Sequence, residues 1–229
     1  MKLKCNFYPD FLTRNQLWTQ EPGCTRLLPI LKIMFILGKK ISMTRVFKDG
    51  ESIPVTLVMA GPCKVLQIKS LEKDGYEAVQ VGFDEITKEK LQKKPAKGKH
   101  FKHIREFSLD KEYKLGDTID VSIFQEGDLI KISGISKGKG FQGGVKRWGF
   151  SGADATHGTK HNERKIGSIG SAYPQRVIKG RKMPGRMGSD RTTIKNLKVI
   201  SVDSEKNIIA IKGAVPGRRG TLLEIKAQN

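Results

Sequence analysis

The stretch of sequence that decides the fold is a short strand that runs into a basic, glycine-rich loop. It reads Leu129-Ile-Lys-Ile-Ser133 and continues as Gly134-Ile-Ser-Lys-Gly-Lys-Gly-Phe-Gln-Gly-Gly-Val-Lys-Arg-Trp-Gly-Phe150. The first five residues are mostly β-branched or apolar, which is typical of a strand. The residues that follow alternate glycine with cations and carry an aromatic every few positions, so they have neither strand nor helix periodicity. We therefore predict a strand that opens into a long loop.

The loop lies in the most basic part of the chain. Of the formal net charge of +20, residues 135–195 supply +11, from 14 basic and three acidic residues. The same residues hold 12 of the 25 glycines and no leucine, so they cannot build a hydrophobic core by themselves. This charge excess favours a polyanionic partner.

Short β-branched segments lie on both sides of the loop. They cover residues 53–60, 63–68, 76–81, 129–133, 193–202, 208–212 and 222–225. Turn-forming dipeptides such as Asp49-Gly50 and Asp74-Gly75 separate them, and many short strands joined by tight turns are typical of a small antiparallel barrel. We predict a mainly β fold with three parts beside a separate N-terminal segment, residues 1–33. Residues 34–134 and 195–229 form one barrel, residues 135–194 form an inserted extension, and residues 87–102 form a small basic helix or loop.

The residue types of the extension predict contacts with RNA. Its glycines let the backbone approach a phosphate chain closely, and its spaced cations can each meet a separate phosphate. The cations are Lys137, Lys139, Lys146, Arg147, Arg164, Lys165, Arg176, Lys179, Arg181, Lys182, Arg186 and Arg191. The aromatic residues Phe141, Trp148 and Phe150 have two interpretations, stacking on bases or packing within the loop, and the sequence leaves both open.

Motifs of catalysis and metal binding do not match. The run from Gly134 to Gly140 has three residues between its glycines where a Walker loop needs four, and it lacks the Lys-Ser/Thr ending. The histidines form two pairs, His100 with His103 and His157 with His161, without further ligands at metal-binding spacing. We expect His157 and His161 to contact RNA or backbone. We expect no enzymatic activity, no cofactor and no metal.

Other global features point to a cytoplasmic protein. The longest apolar tract, residues 27–37, is interrupted by Pro29 and Lys32 and is shorter than the ~20 residues that a membrane helix needs. The three cysteines are an odd number without a close pair, which argues against a disulfide scaffold.

Six motifs, in order, resemble the bacterial form of the ribosomal protein L3 family. They are Gly38-Lys-Lys-Ile-Ser-Met-Thr-Arg-Val-Phe47, Gly134-Ile-Ser-Lys-Gly-Lys-Gly-Phe-Gln-Gly143, Ala155-Thr-His-Gly158, Gly167-Ser-Ile-Gly170, Lys182-Met-Pro-Gly-Arg-Met-Gly188 and Lys212-Gly-Ala-Val-Pro-Gly217. The resemblance implies a translation-protein-type β-barrel that contacts neighbouring ribosomal proteins. It also implies an extension that passes through large-subunit rRNA toward the peptidyl transferase centre, and a structural role early in subunit assembly.

The same resemblance assigns roles along the extension. Residues 137–148 and 156–165 correspond to stretches that clamp rRNA, which adds Lys160 to the cations above. The loop apex nearest the peptidyl transferase centre corresponds to Met183, Pro184, Gly185, Arg186, Met187 and Gly188. The expected RNA-binding residues are therefore Lys137, Lys139, Phe141, Lys146, Arg147, Trp148, His157, Lys160, His161, Arg164, Lys165, Arg176, Lys179, Arg181, Lys182, Arg186 and Arg191.

The sequence departs from the family pattern in several places. Arg186 stands where many bacterial members have a glutamine that is methylated in some, so that modification is not expected here. Ser42, Trp148 and Ile166 replace a usual glycine, a common histidine and a common proline. Residues 1–33 match nothing in the family. An added or mis-started N-terminus with Met34 as the start, an organellar presequence and a genuine extension all remain open for them.

A different class of protein also fits the charge. A free nucleic-acid chaperone, or a nonspecific DNA- or RNA-binding protein, would use the same cations without a ribosome. Cofractionation with large subunits in high salt discriminates the two, because counterions strip a nonspecific binder from phosphates. An enzyme with a cationic substrate channel would need a convergent acid and base set, which the sequence does not offer.

Overall fold

A computed structural model describes residues 34–48, 50–88, 92, 95, 98–108 and 113–228. Within them the chain is mainly β, as predicted. The strands are β1 (Phe35–Lys48), β2 (Glu51–Ala60), β3 (Cys63–Lys69), β4 (Ala78–Glu85), β5 (Phe101–Ser108), β6 (Thr118–Ile119), β7 (Leu129–Ile135), β8 (Gly140–Gln142), β9 (Gly185–Met187), β10 (Arg191–Asp203), β11 (Ile208–Lys212) and β12 (Leu222–Ala227). The helices are α1 (Leu71–Asp74) and α2 (Gly144–Trp148), and a 3-10 turn spans Val121–Ile123.

Several predictions fall on residues outside this description. They concern the N-terminal segment 1–33, with Cys5 and Cys24, and residues 89–91, 93–94 and 96–97 of the lysine-rich segment 87–102. In the described part of the chain Cys63 is a free, buried thiol. Neither described helix has the length and apolar content needed to cross a bilayer.

Six strands form a sheet that closes on itself. They pair antiparallel in the order β1, β12, β7, β10, β11 and β2, and β2 pairs again with β1. We call these six strands the ring sheet. Strands from both sides of the extension are neighbours in it, because β7 precedes the extension and pairs with β10, which follows it.

Four further strands form a second sheet, in the order β5, β4, β3 and β6, which we call the side sheet. The sequence prediction placed all of residues 34–134 in one barrel, whereas β3, β4, β5 and β6 within that range pair as this second sheet. Its hairpin between β3 and β4 closes through α1 and Gly75, whose φ of +79° favours glycine. The backbone of β3 therefore pairs with β4 and β6 and not with the ring sheet.

One hydrophobic core joins the two sheets. Phe35 of β1 stacks on Phe107 of β5 with ring centroids 4.3 Å apart, and both are buried. Ile130 and Ile132 of β7 and Val199 of β10 are buried in the same cluster. Each such aliphatic side chain contributes roughly 1.5–3 kcal/mol of transfer free energy. The core thus holds the two strands that flank the extension in fixed positions.

The extension contributes no apolar side chain to that core. Between residues 136 and 190 Gly144 is the one fully buried residue. This agrees with the expectation that the segment has no core of its own.

Candidate nucleic-acid interface

The extension leaves the ring sheet on β7, returns on β10, and stays paired beyond both strands. The Ser136 N–H donates to the Asp190 carbonyl oxygen and the Lys139 N–H to the Met187 carbonyl oxygen, each over 2.9 Å. Strands β8 and β9 continue the pairing. We call residues 136–142 and 185–190 the stem. The paired backbone of the stem therefore holds Lys137, Lys139 and Arg186 at fixed positions relative to one another.

Glycine permits the close approach of the two stem strands. Gly188 has a φ of +79°, and a Cβ there would overlap the Lys137 carbonyl oxygen. At Gly138 a Cβ would lie 2.9 Å from the Ser189 Oγ. A larger residue at Gly188 would force the strands apart, whereas at Gly138 the Ser189 side chain could turn away, so Gly188 is the position where the stem requires glycine.

The helix α2 follows the stem and packs on a later part of the extension. It ends at Gly149, whose φ is +74° and whose N–H donates to the Val145 carbonyl oxygen over 2.9 Å. Gly144 lies against Phe150 and Ile166, and a Cβ there would overlap Ile166. Phe150 therefore packs within the extension, one of the two roles left open for the aromatic residues.

Two side chains of α2 hold the returning chain at Met183. The Arg147 Nη1 and the Trp148 Nε1 donate to the Met183 carbonyl oxygen over 2.8 and 2.9 Å. The Arg147 guanidinium lies 4.9 Å from the Trp148 ring centroid, and the Lys182 Nζ lies 5.7 Å from it. We call Arg147, Trp148 and the Met183 carbonyl the brace. It gives Arg147 and Trp148 an internal structural role beside the expected contact with RNA.

The expected apex, residues 183–188, contains a short strand. Gly185–Met187 form β9, which pairs with β8 and places Arg186 opposite Phe141. Residues 143–184 lie between these two strands. Backbone pairing with β8 therefore holds Arg186 in a defined position.

Most of the expected RNA-binding side chains are exposed. Phe141 is 76% exposed and Trp148 43% exposed, so both have faces open to a partner. Arg191 is the one expected cation that forms an ion pair in the described part of the chain, with Glu224 of β12. The exposed cations are Lys137, Lys139, Lys146, Lys160, Arg164, Lys165, Arg176, Lys179, Arg181, Lys182, Arg186 and Arg191.

The two histidines of the extension lie in irregular backbone. His157 and His161 have φ values of +56° and +61°, which exclude a helix through both. The described residues contain no group of three or more His, Cys, Asp and Glu side chains arranged for a metal ion.

The sequence did not indicate the role of Lys40, a buried cation near the root of the extension. Lys40 of β1 is only 7% exposed, and its Nζ donates to the Val215 and Gly217 carbonyl oxygens over 2.9 and 3.3 Å. Burial, with a smaller contribution from nearby Lys137, lowers the pKa of Lys40. Lys40 and Gly217 lie within motifs of the family resemblance, but nothing in the sequence indicates that the lysine is buried.

Comparison with known proteins gives a consistent result. The family model described as ribosomal protein L3 matches residues 98–207. The chain is 49% identical over 200 residues to the large ribosomal subunit protein uL3 of Petrotoga mobilis, covering 83% of this chain and 93% of that protein. The chain belongs to the ribosomal protein L3 family. The uL3 proteins of Fervidobacterium nodosum and Heliobacterium modesticaldum are 45% and 49% identical, over 84% of this chain and 97% and 95% of theirs.

Membership of the L3 family confirms the resemblance drawn from the six motifs. The matched residues 98–207 include the whole extension and every residue expected to bind RNA. The extension, which has no hydrophobic core of its own, therefore lies within the residues that the family model matches.

Proposed function

We propose that this L3-family protein is a structural constituent of the large ribosomal subunit, located in ribosomes of the cytoplasm. It binds large-subunit rRNA early in assembly through the extension, which reaches toward the peptidyl transferase centre. The ring sheet is a barrel of the translation-protein type and contacts neighbouring ribosomal proteins. The protein has no chemistry of its own, and neither a cofactor nor a small-molecule substrate takes part.

One observation carries this proposal. The extension, residues 135–194, has a net charge of +10, buries no apolar side chain between residues 136 and 190, and is nevertheless organised by the stem and the brace. Hydrophobic burial does not stabilise it, and its charges repel one another. A polyanion that enters between its strands and loops supplies the missing stabilisation, because each phosphate met by a cation releases condensed counterions.

The arms and the stem have different tasks in this proposal. The arms, residues 143–184, carry spaced cations that hold separate phosphates, whereas β9 of the stem holds Arg186 toward the peptidyl transferase centre. Arg186 on β9 is exposed and lies opposite exposed Phe141. A guanidinium beside an aromatic ring is suited to contact a phosphate and a base in single-stranded RNA.

The experiment that tests the function is sedimentation of large subunits in rising salt. A structural constituent remains with the large subunit, because its contacts are numerous and enclosed by RNA. A free nucleic-acid chaperone, the alternative class, leaves the subunit in the same wash. Release of the protein at moderate salt, while other subunit proteins stay bound, would contradict the proposal.

A further inference from the structure

A cleft of about 670 Å³ lies at the root of the extension, outside the residues that sequence reasoning assigned to RNA apart from Lys137. Three parts of the chain form it. They are β5 of the side sheet, the first residues of the stem, and the loop between β11 and β12 that carries Arg218. The cleft therefore exists only when the two sheets and the stem are assembled.

The cleft has an excess of positive charge. Arg105, Lys137 and Arg218 line it, and no acidic side chain does. Arg105 is paired with Glu224 over 3.2 Å, whereas in the described residues Lys137 and Arg218 form no ion pair. Burial lowers the pKa of His103, another lining residue, and nearby Lys39 and Lys102 lower it further. Two cations thus face the cleft without a counter-charge from the protein.

The rest of the lining suits an anion with several oxygens. The hydroxyl groups of Ser136, Ser189 and Thr221 are at the cleft, and they donate hydrogen bonds to oxygen acceptors. Gly138 and Gly220 leave the backbone accessible between these side chains. Isolated surface lysines lack this combination of cations, hydroxyl groups and open backbone.

A buried lysine fixes the loop that carries Arg218. The Lys40 Nζ holds the Val215 and Gly217 carbonyl oxygens, as described above. Its backbone holds the loop from the other side, because the Gly220 N–H donates to the Lys40 carbonyl oxygen over 2.7 Å and the Lys40 N–H donates to the Thr221 carbonyl oxygen over 3.1 Å. Arg218 is therefore presented from a loop that four hydrogen bonds to Lys40 hold in place, and it needs little reorganisation to bind.

We propose that this cleft binds a phosphodiester group of large-subunit rRNA, with Arg218 and Lys137 as its cations and the hydroxyl groups beside them as further donors. The inference rests on the proposed function and adds a second RNA contact, made by the root of the extension and the loop between β11 and β12. An acidic protein segment is the competing occupant. RNA is favoured because the same stem that forms one wall of the cleft continues into the extension, so one RNA strand can follow both.

The test uses the full chain and transcribed large-subunit rRNA as the probe. Arg218→Gln removes one lining cation. Arg219→Gln is the matched control, because Arg219 has the same charge and lies in the same loop but does not line the cleft. We expect Arg218→Gln to weaken binding by about tenfold, as for loss of one charge-assisted hydrogen bond. Arg219→Gln should change the affinity by less than about twofold, as for a screened surface charge.

A second measurement needs no variant. Phenylglyoxal modifies accessible arginines, and its products at Arg218 and Arg219 are compared by peptide mapping in free and RNA-bound wild-type protein. We expect RNA to protect Arg218 and to leave Arg219 reactive, and polyglutamate of matched charge to protect neither.

The outcomes separate the two claims. If wild-type protein does not bind the rRNA, the proposed function fails. If it binds, but Arg218 stays reactive and both variants bind alike, the proposed function stands and the cleft inference is overturned. Protection of Arg218 by polyglutamate as strong as that by RNA would assign the cleft to an acidic protein segment.

Discussion

The Arg147 guanidinium donates to the Met183 carbonyl oxygen over 2.8 Å, across 36 residues of chain. The residue that sequence reasoning assigned to phosphate is thus also an internal support. It joins α2 to the residue that precedes β9 by two positions, so the position of Arg186 depends on it.

The brace predicts a local loss of stability when it is removed. Arg147→Met with Trp148→Phe keeps side-chain length and aromatic bulk but loses both donors to the Met183 carbonyl oxygen. We expect the extension to open more readily by about 1–3 kcal/mol, with the ring sheet unchanged. The measurement is the rate of trypsin cleavage at Lys179 and Arg181. Lys146→Gln, on the same helix and exposed, is the control and should leave that rate unchanged.

The division between arms and stem predicts two separable phenotypes. Arg186→Gln keeps the shape of β9 and loses a charge-assisted contact of ~1.5–3 kcal/mol. We expect subunits to assemble and the peptidyl-transfer rate, measured with puromycin, to change. An assembly defect in sucrose gradients with a normal puromycin rate would reverse the assignment.

Removal of three cations, two on the stem and one on α2, should impair subunit assembly. Lys137→Ala with Lys139→Ala and Lys146→Ala removes three phosphate contacts, worth together roughly tenfold or more in affinity for rRNA. We expect poor incorporation into large subunits on sucrose gradients. A variant with Lys73, Lys114 and Lys206 changed to alanine has the same net charge and should incorporate normally. Equal loss in both variants would mean that total charge, and not position, decides binding.

The core predicts that the ring sheet folds without the extension. Excision of residues 137–190, with a short Gly/Ser linker, should leave a cooperative thermal transition, because β7 and β10 pair up to Ile135 and Arg191 and the removed residues bury no apolar side chain. In the same shortened chain, Ile132→Ala should cost about 2–5 kcal/mol, since Ile132 is fully buried. A shortened chain that is molten, or insensitive to Ile132→Ala, would contradict this account.

The ion pair between the sheets predicts an acid-sensitive contribution to stability. Lys39 of β1 donates to the Asp84 carboxylate of β4, and this hydrogen bond is the main cause of the lowered pKa of Asp84. Because the folded pKa lies below the unfolded one, the contribution is present above pH ~4 and is lost as pH falls through the folded pKa. Asp84 is partly exposed, so the effect is at most about 1 kcal/mol.

Asp84→Asn tests that contribution by denaturant unfolding between pH 7 and pH 3. Asparagine tolerates the φ of +66° at this position. We expect the variant to be less stable at neutral pH and to lose less stability on acidification than the wild type. Asp74→Asn, at an exposed site on α1, is the control. Parallel pH profiles for wild type and Asp84→Asn would disprove the linkage.

Local sequence patterns predicted the strands that alternate and lie next to turns. Residues 208–212, for example, form β11 with the predicted bounds. The patterns did not predict β1, because the polar side chains of Lys39, Lys40 and Ser42 interrupt its apolar half, and the partners of the two lysines lie far along the chain. Lys40 can be buried because carbonyl oxygens about 175 residues away accept hydrogen bonds from its ammonium group. Pairing at that distance leaves no local signal.

The sequence likewise predicted some features of the candidate site and not others. Its cations and their location in one glycine-rich segment were evident from composition, and family membership supports that assignment. The brace, the strand at Gly185–Met187 and the cleft around Arg218 were not, because each joins residues that only the folded chain brings together. Backbone hydrogen bonds and close approaches at Gly144 and Gly188 form this geometry, and residue type alone does not specify either.

The most direct test of the central claim is a protein-to-RNA crosslink map of isolated large subunits that contain this chain. The account predicts that residues 137–191 crosslink to large-subunit rRNA at many positions along both arms and the stem, with Arg186 nearest the peptidyl transferase centre. A map in which the extension crosslinks only to proteins, while RNA crosslinks arise from the outer strands of the ring sheet, would contradict it.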